Sequence, residues 1–310
     1  MNIISLLPST TEICYALGLG DDLKAVTHEC DWPPDAREKP HITRSVLPTG
    51  RLSSAEIDRL VGERVRSGEA IYELDAGLLR QLEPDLILTQ ELCPVCAVSY
   101  DDVVEIASSL PSRPEVLSLE PASVDEILES IERVAAAAGC PVRGRQVTGE
   151  LRARREAIGE RLEGAEPVSV VCLEWLDPPM AGGHWVPEMV RAAGGRDLLG
   201  PEGGNSPYLT WKQVIEADPD AIVLMPCGYD LDWTLHEARI LEQIPEFRGL
   251  RAVRENRVYA VDGSAYFNRP GPRVIDGIEL LARLLHPSRC AGLGPCDGAR
   301  RFRIEAPAQA

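Results

Sequence analysis

Leu82-Glu83-Pro84-Asp85-Leu86-Ile87-Leu88-Thr89 reads as a helix end, a proline break and then an unalternating apolar run that finishes on a polar residue. Such a run is the pattern of a strand buried on both faces, as in a parallel sheet covered by helices. The same design returns at Ala217-Asp218-Pro219-Asp220-Ala221-Ile222-Val223-Leu224. Two similar lobes, with this strand in the same place in each, are expected.

Working outward, further strands are expected at residues 3–7, 24–27, 116–119, 168–173 and 257–261. Helices are expected between them at 55–67, 76–82, 185–193, 210–217 and 272–285. Ser9, three residues before Glu12, forms a capping-box pattern that opens another helix at about 10–19, stopped by Gly18 and Gly20. Alternation of this kind implies parallel sheets. Between residues 124 and 161 the rhythm changes to Ala, Glu, Arg and Leu at helical spacing, broken only at Gly139-Cys140-Pro141. The expected fold class is therefore α/β, with two Rossmann-like lobes of parallel sheet joined by one long helix. Its parts are an N-terminal lobe (1–140), a linking helix (141–164), a C-terminal lobe (165–288) and a loosely packed tail (289–310).

The 310 residues carry 49 Asp and Glu against 32 Lys and Arg, a formal charge of −17. Nucleic acid needs a basic surface and is not expected as a partner, and an anionic membrane surface is disfavoured for the same reason. No run approaches the ~18 apolar residues of a membrane span. Residues 1–20 lack Lys and Arg and are interrupted by Pro8 and Glu12, so a signal peptide is not expected. Nine cysteines without a leader suit a reducing compartment, and the expected location is cytoplasmic.

In open α/β sheets, ligands sit beyond the carboxyl ends of the strands, so the chemistry is sought in the loops there. The loop Thr27-His28-Glu29-Cys30-Asp31-Trp32-Pro33-Pro34 lines up ligating and titratable groups beside an indole; a polar surface turn with Trp32 covering a core edge accounts for the same residues. Cys93-Pro94-Val95-Cys96 has the spacing that lets two thiolates share an ion or a redox disulfide, and a helix at 98–110 would depress their pKa. The stretch Glu174-Trp175-Leu176-Asp177-Pro178-Pro179-Met180-Ala181-Gly182-Gly183-His184-Trp185 holds two indoles, two carboxylates and an imidazole. Gly182-Gly183 would let the backbone approach a ligand, and a helix starting near Trp185 would favour an anion. His184 as an ordinary hydrogen-bonded residue is the competing reading. Tyr229 and Cys227, after the second-lobe strand, and Tyr266 with Asn268, after the last strand, add further groups, and Arg44 is either an anion clamp or a surface ion pair. Cys14 and Cys140 read as buried small residues.

Taken together, His28, Cys30, Cys93, Cys96 and His184 form a ligand set suited to zinc, iron or cobalt. Trp32, Trp175, Trp185 and Tyr229 would wall a flat, partly apolar molecule.

The opening Ile3-Ile4-Ser5-Leu6-Leu7-Pro8-Ser9-Thr10-Thr11-Glu12, the turn Asp31-Trp32-Pro33-Pro34, the strand Leu82-Glu83-Pro84-Asp85-Leu86-Ile87, and Asp177-Pro178-Pro179, Gly194-Gly195 and Ala217-Asp218-Pro219-Asp220-Ala221-Ile222-Val223 come in a telling order. Over residues 2–285 the chain resembles the cobalamin and iron-chelate substrate-binding proteins of ABC importers, whose two lobes share one long helix. The resemblance implies a helical-backbone, periplasmic-binding-protein-like fold. It also implies a corrinoid, haem or siderophore held between the lobes by aromatics, here Trp32, Trp175, Trp185 and Tyr266. His28-Glu29-Cys30-Asp31 and Cys93-Pro94-Val95-Cys96 are not typical of transport members, and no leader is read. The chain thus looks like a leaderless, cytosolic branch for which an ABC permease is not the expected partner.

The first expectation is a cytosolic protein that binds cobalamin, another corrinoid or a similar metal-bearing small molecule, contacted by Trp32, Trp175, His184, Trp185, Tyr229 and Tyr266. The alternative is a metalloprotein or metalloenzyme in which Cys30, Cys93 and Cys96 hold zinc or an iron–sulfur cluster. His28 or His184 would complete that shell, and Glu29 or Glu174 would act as general acid/base. A thiol redox role for Cys93 and Cys96 is a third.

Overall fold

The computed structural model describes residues 1–48, 52–91 and 98–304. The chain divides into two compact units: residues 1–52, 56–121 and 125–150 form unit 1, and 53–55, 122–124 and 151–310 form unit 2.

Unit 1 contains β1 (Ile3–Ser5), β2 (Leu23–Ala25), β3 (Thr43–Ser45), β4 (Tyr72–Leu74), β5 (Leu86–Thr89) and β6 (Glu115–Ser118). Its main sheet runs β2-β1-β5-β6 with every pair parallel, while β3 and β4 form a separate antiparallel ribbon. β5 lies between two parallel neighbours and all four of its residues are buried, which is why its sequence carries no alternation. The helices here are α1 (Pro8–Ala16), most of α2 (Ser54–Ser67), α3 (Ala76–Leu82), α4 (Tyr100–Ser109) and most of α5 (Val124–Ala137). Ile4, Leu6, Ile42, Leu79, Ile87 and Val103 make one buried cluster of this unit.

α6 (Pro141–Leu162) contributes its first half to unit 1 and its second half to unit 2. In unit 2, Arg154 of α6 donates Nε to Glu279 (3.0 Å) and Nη2 to both Glu279 (2.8 Å) and Asp276 (2.5 Å).

Unit 2 contains β7 (Val168–Leu176), β8 (Pro179–Ala181), β9 (Gly195–Asp197), β10 (Ala221–Leu224), β11 (Val258–Val261) and β12 (Ala299–Arg301). Its helices are α7 (Val186–Ala192), α8 (Trp211–Ala217), α9 (Leu231–Glu237), α10 (Arg251–Arg254), α11 (Gly263–Tyr266) and α12 (Val274–Leu285). The sheet runs β12-β11-β10-β7-β8, with β9 on β7. β10, like β5, is fully buried between two parallel neighbours. The edges are not parallel as expected. β8 returns antiparallel to β7 after only Asp177 and Pro178, because a parallel return needs a crossover of a dozen residues or more. α12 buries Ile275, Ile278, Leu281 and Leu285, each contributing about 1.5–3 kcal/mol.

Two further expectations are corrected. α1 starts at Pro8, not near residue 10, and Leu7 caps it without any side-chain hydrogen bond. Pro8 fits the first helical position because the N–H it lacks would be orphaned there. The Thr10 hydroxyl donates to Leu7 O (3.0 Å) and also lies 2.6 Å from Ser5 Oγ, so it caps no amide. Through residue 304 the tail is also not loose: Cys290 is fully buried, β12 pairs antiparallel with β11, and Phe302 joins the unit 2 core.

No helix among the described residues is long and apolar enough to cross a membrane.

Candidate functional site

Each unit gathers polar and aromatic side chains where its strands end. In unit 1 the chain leaves β2 through Thr27, His28, Glu29 and Cys30. His28 Nδ1 lies 2.9 Å from Thr43 Oγ1 of β3, and its ring lies 5.6 Å from that of Tyr72 on β4. The Tyr72 hydroxyl donates to Glu29 Oε1 at 3.2 Å. Leu6 and Pro8 join these side chains around a shallow pocket of only about 10 Å³, room for roughly one water and far below the roughly 300–1,000 Å³ typical of a small-molecule site. Burial pushes the His28 pKa down, and the Glu29 charge offsets part of that. Thr43 and Tyr72 escaped the sequence reading because the β3–β4 ribbon lies far along the chain and carries no motif.

Trp32 is 47% exposed and is followed by a cis bond to Pro33. Arg44 pairs with Glu73 across the exposed ribbon, with Nε 2.6 Å from Oε2, so the ion-pair reading describes it.

Cys30 differs from the expectation. It is 2% exposed, with Sγ 3.1 Å from both Thr11 Oγ1 and Thr27 Oγ1. Its sulfur is thus engaged by two hydroxyls inside unit 1. Cys93 and Cys96 lie outside the described residues. Among the described residues no group of three or more His, Cys, Asp or Glu is arranged to hold a metal ion, so the zinc and iron–sulfur readings gain no geometric support. Burial pushes the Cys14 thiol up to about 12, as expected of a buried small residue.

In unit 2, β7 is irregular between Leu173 and Trp175 where it pairs with β8, which breaks the simple alternation, and Leu173 and Leu176 both join the buried core. Trp175 is 9% exposed, and its ring lies 5.5 Å from that of Tyr229, which follows β10. Tyr229 in turn meets Trp233 edge-on at 6.2 Å, and Trp233 stacks on His236 at 4.3 Å. Asp230 Oδ1 accepts from Trp233 N at 2.7 Å and starts α9 there, so Tyr229 and Trp233 sit at fixed positions four residues apart. Trp233 and His236 were missed. The signal was an Asp cap right after Tyr229, which puts the next indole on the first helical turn.

Trp185 donates its indole N–H to Phe267 O at 2.7 Å. Tyr266 is partly buried, with the Arg273 guanidinium 5.8 Å over its ring. His184 has φ +50°, unusual without glycine. Its peptide is clamped by Gly203–Gly204, His184 N donating to Gly204 O (2.6 Å) and Gly203 N to His184 O (2.9 Å). Burial lowers its pKa.

Gly182 and Gly183 do not open the backbone to a ligand. A Cβ on Gly183 would stand 2.6 Å from Gly204 O and from Ser206 N, and one on Gly182 would meet Val186 Cγ1 at 2.7 Å. They permit close packing within the chain. The start of α7 already carries Glu188 in its first turn, a charge that answers the positive helix end without an added anion. Glu174 is partly buried, and burial raises its pKa against opposing hydrogen bonds from Ser206 and Gly183 N.

A family model described as periplasmic binding protein matches residues 3–265. By sequence the chain is 24% identical over 288 residues to the vitamin B12-binding protein of Vibrio cholerae, covering 91% of this chain and 88% of that one. It is 26% identical over 292 residues to the uncharacterized ABC transporter substrate-binding lipoprotein YvrC of Bacillus subtilis, covering 92% and 80%. By structure it superposes on the periplasmic vitamin B12 binding protein BtuF of Vibrio cholerae with TM-score 0.67 at 22% identity (92% of this chain, 96% of that one). It superposes on a periplasmic heme binding protein from Pseudomonas aeruginosa with TM-score 0.71 at 19% identity (98% and 99%). A model match over most of the chain, on a fold these structures share, makes the chain a member of the periplasmic binding protein family.

Proposed function

We propose that this protein binds a corrinoid, with cobalamin as the type ligand. The observation that carries the reading is the run of rings Trp175–Tyr229–Trp233 at the carboxyl ends of β7 and β10, in a chain similar over 91% of its length to vitamin B12-binding protein. Trp175 and Tyr229 are buried and Trp233 is half-buried at the edge of the run, where an aromatic ring suits contact with a flat macrocycle. Within unit 2 the partly buried ring of Tyr266 supplies further aromatic surface. His28 and His184, kept neutral by burial, have the imidazole form that ligates metals.

Titration of the purified protein with cyanocobalamin, followed by tryptophan fluorescence, tests this. Saturable quenching in the wild type, weakened about tenfold or more by Tyr229→Ala, is expected on the scale of a lost aromatic contact. Absence of saturation, or tighter binding of hemin than of cyanocobalamin, would overturn it.

We further place the protein in the cytosol, on the strength of nine cysteines. Recovery from the periplasmic or membrane fraction of its host would instead assign it to import through an ABC transporter, the role for which its Bacillus subtilis relative is named.

A further inference from the structure

The division between the two units cuts three of the described helices. It falls in the first turn of α2, after Ala55, and at the start of α5, after Val124, but it cuts α6 near the middle, between Glu150 and Leu151. Both halves of α6 are pinned. On the unit 1 side a Cβ on Gly144 would stand 2.6 Å from Ala135 Cβ, and the buried Thr148 hydroxyl donates to Glu132 Oε1 of α5 at 2.6 Å. On the unit 2 side Leu151 and Ile158 are buried, and Arg154 grips Glu279 and Asp276 of α12. Gly149 and Glu150, between the pins, are exposed.

In a helix interior alanine outperforms glycine, because glycine leaves the backbone freer and more open to water. A glycine there needs a reason. Close packing supplies one for Gly144. It supplies none for Gly149 or Gly159, where a Cβ would meet nothing within 4 Å. Gly159 lies in the last turn of α6, wholly inside unit 2, whereas Gly149 lies in the interior beside the division. Its neighbour weakens the same point. In an α-helix the Gly149 N–H is directed at the Arg145 carbonyl, and the Thr148 hydroxyl reaches that oxygen too, at 3.3 Å. A hydroxyl that shares a helix carbonyl destabilises the helix slightly and goes with bending. Pairs of glycine with serine are among the few recurrent sites of sharp helix bends, and Thr148-Gly149 is the threonine form of such a pair.

We infer that Gly149 is a joint, at which α6 bends and lets the two units reorient. The other two helices that the division cuts suit such a motion. The start of α2 is held by one carboxylate oxygen, Glu237 Oε2, which accepts from Ser54 N and from Ser54 Oγ at 2.8 Å each. The start of α5 is held by Glu188 Oε2, which accepts from Val124 N at 2.7 Å. A carboxylate accepts from several directions, so these contacts survive a small rotation of the helix they hold. The joint is independent of what the protein binds.

Hydrogen exchange and NMR of the full chain test this, with Gly149→Ala beside Gly159→Ala as the control. A Cβ fits at both positions, so both variants are expected to fold. Amides 149–153 are expected to exchange about fivefold more slowly in Gly149→Ala than in the wild type, the size of the glycine-to-alanine difference in a helix, and at the wild-type rate in Gly159→Ala. Residual dipolar couplings measure how strongly each unit aligns. They are expected to show unequal alignment of units 1 and 2 in the wild type and in Gly159→Ala, with the difference lost or at least halved in Gly149→Ala. Equal alignment in the wild type overturns the inference, as does a difference that falls by less than half in Gly149→Ala. The wild-type couplings need no variant, so a substitution that unfolds the protein does not shield the proposal.

Discussion

The indole N–H of Trp185 reaches the main-chain carbonyl of Phe267 across 2.7 Å. The residue preceding α7 is thereby tied to the segment after α11, 82 positions later. A side chain that looked like a ligand wall thus has a structural duty. Trp185→Phe keeps the aromatic bulk and removes the donor, leaving the Phe267 carbonyl short of a partner. The expected loss is about 1 kcal/mol of stability, read as a lower urea midpoint with an unchanged slope. An unchanged midpoint would show that the bond contributes nothing.

Gly183→Ala tests the close approach of the chain to itself. Its Cβ would meet backbone atoms of Gly204, Asn205 and Ser206 at 2.6 to 2.9 Å, and no side-chain rotation can relieve that. The Ser206 hydroxyl, which accepts from Gly183 N at 3.1 Å, would be displaced as well. A loss of about 1–3 kcal/mol is expected, together with weaker cyanocobalamin binding because Glu174 and His184 flank the same turn. A variant as stable as the wild type would show that the turn yields.

Arg154 carries the forked contact between α6 and α12. Its hydrogen bonds to Glu279 and Asp276 hold the guanidinium firmly protonated. The Glu279 side chain is only 13% exposed, so Arg154→Ala strands a carboxylate. Because the arginine itself is 39% exposed, solvent screening limits the loss to about 1–2 kcal/mol. Arg154→Lys is expected to restore only part of it, since an ammonium lacks the planar fork. Full rescue by lysine in a denaturation series would refute the geometric argument.

The pH response has two opposed parts. His28 and His184 have pKa values below the ordinary histidine value of about 6.5 because burial disfavours their charged form. Below that pH the unfolded chain takes up protons that the folded chain resists, so stability falls as the pH drops. Tm is expected to fall less between about pH 7.5 and 5.5 in a His28→Gln/His184→Gln double variant than in the wild type. Glu174 and Asp197 have pKa values raised above the ordinary carboxyl range, again chiefly by burial. They stabilise the folded state at acid pH, and that contribution is lost as the pH rises through their folded values. Glu174→Gln, which keeps an acceptor for Ser206, is expected to match or exceed the wild-type Tm near pH 7.5. A clear drop there would show that the ionised carboxylate is needed.

Much of the architecture was readable in one dimension. Leu86–Thr89 and Ala221–Leu224 were readable as central strands because burial on both faces leaves a local mark, an apolar run with no alternation. The length of α6 was readable because nothing between Pro141 and Leu162 stops a helix. The antiparallel edges β8 and β12 were less visible, since an edge strand is three residues of unremarkable composition whose partner lies elsewhere. The start of α1 was misjudged because the Ser9–Glu12 spacing imitates a capping box, and only the fold shows Ser9 already inside the helix that Pro8 opens.

By itself, the sequence determined the central strands and the main helices, and which residue types lie beyond those strand ends. Those properties follow from periodicity, and periodicity is local. Only the tertiary structure decided what each side chain does there. It engaged Cys30 with two threonines and tied Trp185 to Phe267. Gly182 and Gly183 it turned toward the chain's own atoms. A hydrogen bond depends on a distance of about 3 Å between groups that are far apart along the chain, and no spacing within the sequence encodes that distance.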